Sequence, residues 1–367
     1  MIKKLIIFMP SVEGGGVEKN LFLISDYLAK NLYKIALISA NTNIKSLLNK
    51  KIEFICPKSN FWNNKGRGLK YFLCLYFLIK QIINNKNISI LTFQANVYAI
   101  FIAKLFGIKI ISRSNSSPAG WSKNIIKRLI FKIILKKADK IIVNSFDFKK
   151  ELKKTFNVNS ICIYNPLNKK QIIKLSKVKK FDSWSKSKKD KLKIINVARF
   201  TEQKDHITLI KAIALIKDKI PMKVLIVGRG INKKIMINEI SNNNLNKIIK
   251  IISFQKNPFP YFVGADLFIL TSRFEGLPNV LLEAQTLKKF IISSNCPTGP
   301  REILKNGKLG YLFKVGNAEQ LSKKILLFHK NRKKLHKMIN LGYNSLNRFN
   351  FNYNLEKYLK TVKFILN

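Results

Sequence analysis

Short apolar runs of strand length alternate along the chain with longer segments whose apolar residues recur at helical spacing. The run at 2–9 is followed by three glycines and then by 17–30, where Leu21, Ile24 and Leu28 share one helical face. Further strands are predicted at 34–40, 89–94, 109–112 and 140–144, and helices at 69–83, 97–106 and 123–137. This alternation predicts a parallel sheet covered by helices on both faces.

The alternation stops near Asn165-Pro166 and resumes at Leu192. Between them, 168–191 is polar and lysine-rich, which is typical of an interdomain linker. Beyond it, strands are predicted at 192–198, 223–227, 248–253 and 267–270, and helices at 206–217 and from 278 onward. We therefore predict two doubly wound α/β domains, at 1–167 and 192–345, facing one another across a cleft. The carboxyl ends of both sets of strands, where open α/β sheets bind ligands, would then share one crevice.

The composition is that of a globular protein, since 47% of the 367 residues are hydrophobic, and the length fits two domains. Basic residues outnumber acidic ones by 69 to 19, which gives a formal net charge of +50. Only nine of the basic residues are Arg, and the lysines are spread evenly along the chain. This uniform excess argues against a dedicated nucleic-acid site. It favours anionic partners in general, including nucleotide diphosphates and acidic membrane surfaces.

The cysteines and the apolar runs bear on the location of the protein. The four cysteines are scattered and show no disulfide or metal-binding spacing. The first apolar run ends at Pro10 and is too short for a signal-peptide core. The longest apolar run, 71–79, is far shorter than the roughly 20 residues that a bilayer span requires. These features predict a cytoplasmic protein.

Three glycines at 14–16 lie between the first predicted strand and helix, where backbone N–H groups can approach a phosphate. A plain strand-to-helix turn is the alternative. The dinucleotide-binding pattern G-x-G-x-x-G fails here, because its third glycine position is Lys19, and it fails at 228–230, where that position is Lys233. The segment 40–42 after the second strand holds no acid for a ribose. A nicotinamide-dependent oxidoreductase is therefore disfavoured.

The loop after the first strand of the second half contains Arg199 and Lys204 and precedes a helix for which Asp205 is a suitable N-cap. Two cations on one strand-to-helix loop can neutralise a diphosphate, Arg199 as a planar fork and Lys204 as a point charge. In a chain this rich in lysine, an incidental surface position is the alternative for each of them.

The segment 272–284 carries two glutamates, Glu275 and Glu283, in a chain where acids are scarce. Pro278 suits the first turn of a helix, which leaves Glu275 in the preceding loop and Glu283 inside the helix. Glu275 can then meet sugar hydroxyls, and Glu283 can accept hydrogen bonds from a ribose. The backbone N–H groups of Asn279 and Val280 can meet phosphate oxygens. A capping carboxylate followed by an ordinary surface acid is the alternative.

These residues together resemble the retaining glycosyltransferases of family four, which have the GT-B fold of two Rossmann-like domains. The resemblance rests on Gly15-Gly16-Val17-Glu18, on Arg199 with Lys204, and above all on Glu275 to Glu283 in the context Phe-Glu-Gly-Leu-Pro. It covers essentially the whole chain. The downstream segment 294–304 is similar to members that add hexoses or N-acetylhexosamines to bacterial cell-surface glycans.

The resemblance implies a nucleotide-diphosphate sugar as co-substrate, with UDP favoured over GDP, and neither a metal nor another cofactor. It implies that Arg199 and Lys204 hold the diphosphate, Glu283 the ribose and Glu275 the transferred sugar. It also implies that the loop at Gly15 and Gly16 closes over the phosphates. The acceptor would be a lipid-linked oligosaccharide, a lipopolysaccharide or a capsule glycan. The last helices, 346–367, are expected to return to the first domain.

One feature departs from the family. Many relatives carry a histidine in the first domain near the reacting sugar, but all three histidines of this chain lie in its second half. The corresponding loop, 112–116, offers Arg113 and Asn115 as substitutes that can bind hydroxyls or leaving-group charge, and neither is a base at neutral pH. A plain loop end is the alternative. In the family's usual mechanism the departing phosphate takes the acceptor proton, which makes the loss tolerable.

The predicted helix 123–137 is basic and carries an apolar stripe of Ile126, Leu129, Ile130, Ile133 and Ile134. The stripe either packs on the sheet or lies on an anionic membrane surface, and the two interpretations are not exclusive. Two other functions are also compatible with the sequence. One is a GT-B phosphorylase or epimerase, and the other is a basic nucleic-acid-binding protein with an inactive transferase-like fold.

Overall fold

A computed structural model describes residues 3–116, 118, 121, 124–178 and 191–367. The chain divides into two compact units. The N-terminal unit comprises Met1–Pro166 together with Phe351–Asn367, and the C-terminal unit comprises Leu167–Asn350.

The N-terminal unit is built on a seven-stranded sheet in the order β3-β2-β1-β4-β5-β6-β7, in which every described pairing is parallel. The strands are β1 (Lys4–Phe8), β2 (Ile35–Ile38), β3 (Ile52–Ile55), β4 (Ile88–Thr92), β5 (Lys109–Ser114), β6 (Lys140–Val143) and β7 (Ile161–Cys162). The central strands are rich in isoleucine and buried on both faces, as expected for a parallel sheet between helices. The strand order reverses between β1 and β4.

Helices cover both faces of this sheet. Along the chain they are α1 (Gly16–Asn31), α2 (Arg67–Asn84), α3 (Asn96–Leu105), α4 (Ile125–Lys136) and α5 (Phe146–Phe156). Alternate strand residues point to opposite faces, so Leu5 and Ile7 of β1 join one core with α1, whereas Ile6 and Phe8 join another with α2 to α5. The helices α2, α3 and α4 therefore pack on the same face of the sheet, each with one side against it and the opposite side away from it.

The C-terminal unit is built on a six-stranded parallel sheet in the order β10-β9-β8-β11-β12-β13. Its strands are β8 (Leu192–Val197), β9 (Met222–Gly228), β10 (Ile249–Ser253), β11 (Leu267–Leu270), β12 (Phe290–Ser294) and β13 (Tyr311–Phe313). Its helices are α6 (Lys169–Ser176), α7 (His206–Ala214), α8 (Lys233–Asn242), α9 (Phe259–Val263), α10 (Asn279–Thr286), α11 (Pro300–Ile303), α12 (Ala318–Asn331) and α13 (His336–Asn344). The predicted α/β class with two Rossmann-like domains is confirmed.

The structure differs from the predicted linker at its beginning. Residues Lys169–Ser176 form the helix α6, which buries Ile172 and packs against α9 and α10. The lysines of this segment obscured a short amphipathic pattern. The residues 179–190, the second half of the predicted linker, lie outside the described residues.

The last helix, α14 (Phe351–Leu366), belongs to the N-terminal unit, where it packs against α1, β4 and β5. It contributes Tyr358 and Val362 to the core beneath α1, and Ser89 on β4 donates a hydrogen bond to the carbonyl of Ile365. The preceding residues Ser345–Phe349 form a 3-10 helix within the C-terminal unit, so the helix begins later than 346. No helix in the described ranges is long and apolar enough to cross a bilayer.

Candidate active site

The site is centred on Glu275, which follows β11 at the carboxyl edge of the C-terminal sheet. Its side chain is buried, and its Oε1 atom lies 2.5 Å from the Nζ atom of Lys204. The hydroxyl of Ser272 donates to the same oxygen at 2.6 Å. Lys204 ends a short 3-10 helix in the loop after β8. Because β8 and β11 are neighbours in the sheet, this loop meets the loop that carries Glu275. The structure therefore brings together two of the residues that the sequence nominated, across 71 positions of chain.

Buried hydroxyl groups hold these loops in place. Thr271 donates to the carbonyl of Lys204 at 2.8 Å, and Thr298 donates to the carbonyl of Glu275 at 2.5 Å. Ser294, at the end of β12, donates to the carbonyl of Ser272 at 2.6 Å. A buried hydroxyl is normally satisfied in this way, since an unpaired one is costly. Three neighbouring strand ends thus support one carboxylate and one ammonium. No sequence pattern marks these hydroxyl residues for this role.

Gly299 allows the loop after β12 to approach Glu275 closely. Its φ of +89° lies in the region that favours glycine, and a Cβ atom there would lie 2.4 Å from the carbonyl oxygen of Gly276. A similar constraint explains Gly228 at the end of β9, where a Cβ atom would lie 1.9 Å from the carbonyl oxygen of Ala198. These glycines serve close backbone packing rather than a dinucleotide-binding motif.

The helix α10 carries the other nominated residues of this segment. It begins at Asn279, followed by Val280, and both are half-buried, whereas Glu283 is buried one turn further on. Pro278 is the extended N-cap rather than the first helical residue. Arg199 lies half-buried in the loop between β8 and Lys204. All predicted donor-site residues of the C-terminal unit therefore lie in the loops that follow β8 and β11 or in the first two turns of α10.

Two ionisable side chains beside the site are held neutral. His206 packs edge-on against the Phe200 ring, and burial lowers its pKa to about 4, with the charge of Lys204 adding to the effect. Burial also raises the pKa of Cys296 to about 12. His206 follows Asp205, which caps α7 as predicted by accepting from Thr208. Neither side chain is a charged catalyst at neutral pH.

The buried histidine predicts a loss of stability in acid. The unfolded chain takes up a proton near pH 6.5, whereas the folded chain does so only near pH 4, so stability falls as the pH drops through this window. A difference of this size corresponds to about 3 kcal/mol. We expect His206→Leu to reduce the fall in the free energy of urea unfolding between pH 7 and pH 4, whereas His336→Leu at an exposed position should not. An equal fall in both variants would contradict the prediction.

The glycine-rich loop of the N-terminal unit is closed by its own carboxylate. Gly15 is the N-cap of α1, which begins at Gly16. The backbone N–H of Gly15 donates to Glu18 at 2.8 Å, and that of Glu13 donates to the other Glu18 oxygen at 3.1 Å. A carboxylate is favourable at a helix N-terminus. The Gly15 N–H is thus bound within the chain, and the contact of Gly15 and Gly16 with phosphate stays a prediction.

Arg113 lies inside the N-terminal unit and not at a ligand-accessible surface. Its side chain is 0% exposed, its Nε atom donates to the Tyr358 hydroxyl on α14, and its Nη2 atom donates to Asn165, each at 2.8 Å. The guanidinium also lies 5.0 Å from the centre of the Phe93 ring. This placement differs from the expected contact with sugar hydroxyls, since the group is enclosed and braces α14. Asn115 donates to the carbonyl of Phe93 at 2.7 Å and likewise supports the loop.

The described residues contain no group of three His, Cys, Asp or Glu side chains arranged to hold a metal ion.

Two family models match the chain, one for each structural unit. The model described as Glycosyltransferase Family 4 matches residues 14–171, and the model described as Glycosyl transferases group 1 matches residues 178–345. The chain belongs with the family-four glycosyltransferases. The resemblance carried by Glu275 and Glu283 is thereby confirmed, as is the assignment to the transferases.

Two relatives illustrate the range of the similarity. The transferase is 34% identical over 188 residues to an uncharacterized glycosyltransferase from Methanocaldococcus jannaschii, a match that covers 50% of this chain and only 46% of that protein. It is 25% identical over 336 residues to the N-acetylgalactosamine-N,N'-diacetylbacillosaminyl-diphospho-undecaprenol 4-alpha-N-acetylgalactosaminyltransferase of Campylobacter jejuni. That match covers 87% of this chain and 88% of the relative.

A solved structure agrees in fold. The transferase resembles the Anabaena protein HepE in complex with UDP-glucose, with a TM-score of 0.78 and 17% identity over 98% of this chain and 99% of the other. At this identity the likeness bears on the fold alone. Together with the two parallel sheets, it confirms the predicted GT-B class.

Proposed function

We propose that the transferase moves a hexose or N-acetylhexosamine from a UDP-sugar to a growing cell-surface glycan, with retention of the anomeric configuration and without a metal. The observation that carries the proposal is the ion pair of the partly buried Lys204 with the buried Glu275 at the carboxyl edge of the C-terminal sheet. Open α/β sheets bind ligands at this edge. The Campylobacter relative, named for transfer to a diphospho-undecaprenol acceptor, and HepE, solved with UDP-glucose, support a UDP-sugar and a lipid-linked acceptor.

The donor is held in our proposal by residues from two loops and one helix. Arg199 and Lys204 neutralise the diphosphate, and the N–H groups of Asn279 and Val280 meet its oxygens at the start of α10. Glu283 accepts hydrogen bonds from the ribose hydroxyls. The sequence order of these residues and their common location at one sheet edge support this arrangement.

Lys204 and Glu275 then act together on the reacting sugar. Glu275 accepts hydrogen bonds from hydroxyls of the transferred sugar, and Lys204 stabilises the negative charge that develops on the leaving diphosphate. Their contact fixes both groups before substrate binds, which lowers the cost of orienting them during the reaction. The departing phosphate takes the acceptor proton in this proposal. No histidine base is then required, in keeping with the neutral, enclosed state of His206.

We place the reaction in the cytoplasm, at the inner face of the membrane that would carry a lipid-linked acceptor. The four cysteines support this location, because they are scattered and none has disulfide spacing. The excess of basic residues supports contact with anionic lipid.

The experiment that tests donor binding is thermal unfolding with UDP, GDP and their sugar conjugates in buffer containing a chelator. At a hundredfold excess over Kd, a bound nucleotide adds about 2.7 kcal/mol to the free energy of unfolding. We expect UDP and one UDP-sugar to raise the melting temperature. Glu283→Ala should lose most of that shift, whereas Glu319→Ala, at an exposed position on α12, should keep it.

Other results would redirect the proposal. A melt that no nucleotide shifts would contradict the donor site. Breakdown of a glycan only in the presence of orthophosphate would favour a phosphorylase, and salt-sensitive binding to nucleic acid without any response to nucleotide sugars would favour the binding protein with an inactive fold.

A further inference from the structure

The outer side of α2, α3 and α4 in the N-terminal unit exposes large apolar side chains. The helix α2 buries Cys74, Leu78 and Ile82 against the sheet. On the opposite side it exposes a second apolar stripe, formed by Leu69, Phe72, Tyr76 and Ile83. Phe72 is 77% exposed. Packing of α2 within the unit therefore accounts for only one of its two apolar stripes.

The next helix continues this surface. The helix α3 packs against α2 and α4, and it buries Ala99, Ile100 and Ala103. Its outer side exposes Tyr98, Phe101 and Leu105. These residues recur at helical spacing on the side that points away from the sheet. The apolar stripe of α2 is thus followed by a second exposed stripe on the neighbouring helix α3.

The helix α4 shows the same division most strongly. It packs inward through Phe131, Ile134 and Leu135. The other apolar positions of the stripe face outward: Ile125, Ile126, Leu129, Ile130 and Ile133 are all exposed. Ile125 is 82% exposed. Of the five apolar residues of the predicted stripe on α4, only Ile134 therefore packs towards the sheet.

We call the exposed apolar side of α2, α3 and α4 the outer helical face.

The charged side chains of these three helices have one sign, and two of them, Arg67 and Lys104, pair with Glu13 and Asp139 from neighbouring segments. The sequences of α2, α3 and α4 contain no acidic residue. On α4 the cations flank the exposed apolar stripe: Lys127, Arg128, Lys132 and Lys136. A broad apolar surface bordered by cations is typical of helices that lie in the headgroup region of an anionic bilayer.

We propose that the outer helical face docks on an anionic lipid bilayer, with its apolar side chains entering the interface and its lysines contacting lipid phosphates. A second copy of the chain is a poor occupant, since a two-fold contact through this face would oppose cations to cations. Nucleic acid would engage the cations but would leave the aliphatic side chains of α4 unburied. This inference concerns a partner surface and goes beyond the transfer reaction, so it stands or falls without reference to the donor site.

Sedimentation with lipid vesicles tests the proposal on the full chain without nucleotide. We expect binding to vesicles of phosphatidylcholine mixed with phosphatidylglycerol and much weaker binding to phosphatidylcholine alone. Ile126→Asn combined with Leu129→Asn should weaken binding about tenfold or more, and Lys127→Glu combined with Lys132→Glu should do the same. All four positions are outside the buried core, so the variants should retain their melting temperature and their nucleotide response.

A matched control distinguishes binding through the outer helical face from nonspecific binding by exposed apolar side chains. Ile231 and Ile235 of the C-terminal unit are also exposed, and Ile231→Asn combined with Ile235→Asn should bind vesicles like the unchanged protein. Equal binding by the control and by both face variants would overturn the proposal. Absence of vesicle binding by the unchanged protein would also overturn the proposal. So would self-association of the unchanged protein without vesicle binding, if the face variants abolished that self-association.

Discussion

Lys204→Ala is expected to lower kcat for donor cleavage by about two to three orders of magnitude, the usual effect of removing one preorganised group that stabilises developing charge. Its ammonium lies 2.5 Å from the buried carboxylate of Glu275 and is proposed to meet the leaving diphosphate. The measurement is release of UDP from the UDP-sugar that gives the largest thermal shift. Because the charge develops mainly in the transition state, kcat should fall more than KM rises.

The matched control for this variant is Lys211→Ala, at an exposed position on α7, which should leave the rate unchanged. Lys204→Arg retains a cation and is expected to recover part of the rate, although a guanidinium cannot reproduce the ammonium position. A Lys204→Ala protein that kept its melting temperature and a rate within a few-fold of the parent would remove Lys204 from the proposed chemistry.

Arg113→Leu is expected to reduce the free energy of unfolding by about 3 kcal/mol, because it removes the buried guanidinium that donates to the Tyr358 hydroxyl and to the Asn165 side chain. The loss should appear in urea unfolding followed by tryptophan fluorescence. Arg113→Lys should also be destabilised, since a single ammonium cannot make both contacts in their fixed geometry.

Arg128→Leu, at an exposed position on α4, is the control and should change stability by no more than about 0.5 kcal/mol. This pair of variants distinguishes the two roles considered for Arg113. If Arg113→Leu were as stable as the parent but impaired in turnover, the sequence-based assignment to the reacting sugar would be right and the bracing role would be wrong.

The candidate site could be predicted in part because its key residues stand out locally. Glu275 and Glu283 are conspicuous in a chain with only 19 acids, and they lie in a segment whose helix start is marked by Pro278. Thr298 and Gly299 carried no such signal. Their importance arises from contact with the backbone around Glu275 and Gly276, which no pattern within the segment itself reports.

Local patterns did not predict two short elements. The apolar residues of the helix α6 are separated by lysines, and the strand β13 is only three residues long. Both are stabilised by neighbours from other parts of the chain, since α6 packs on α9 and α10 and β13 pairs with β12. Intrinsic preference is weak over such lengths, and tertiary packing decides the outcome.

The alternation of strands and helices, the two-domain α/β class and the family follow from sequence pattern, because buried parallel strands require continuous apolar runs and the segment from Glu275 to Glu283 is distinctive. Which of the predicted site residues meet depends on the tertiary structure. In the folded protein Lys204 contacts Glu275, Arg113 is buried against α14, and most of the apolar stripe of α4 is exposed. These outcomes depend on strand order and on packing between residues far apart in the chain, which local spacing does not encode.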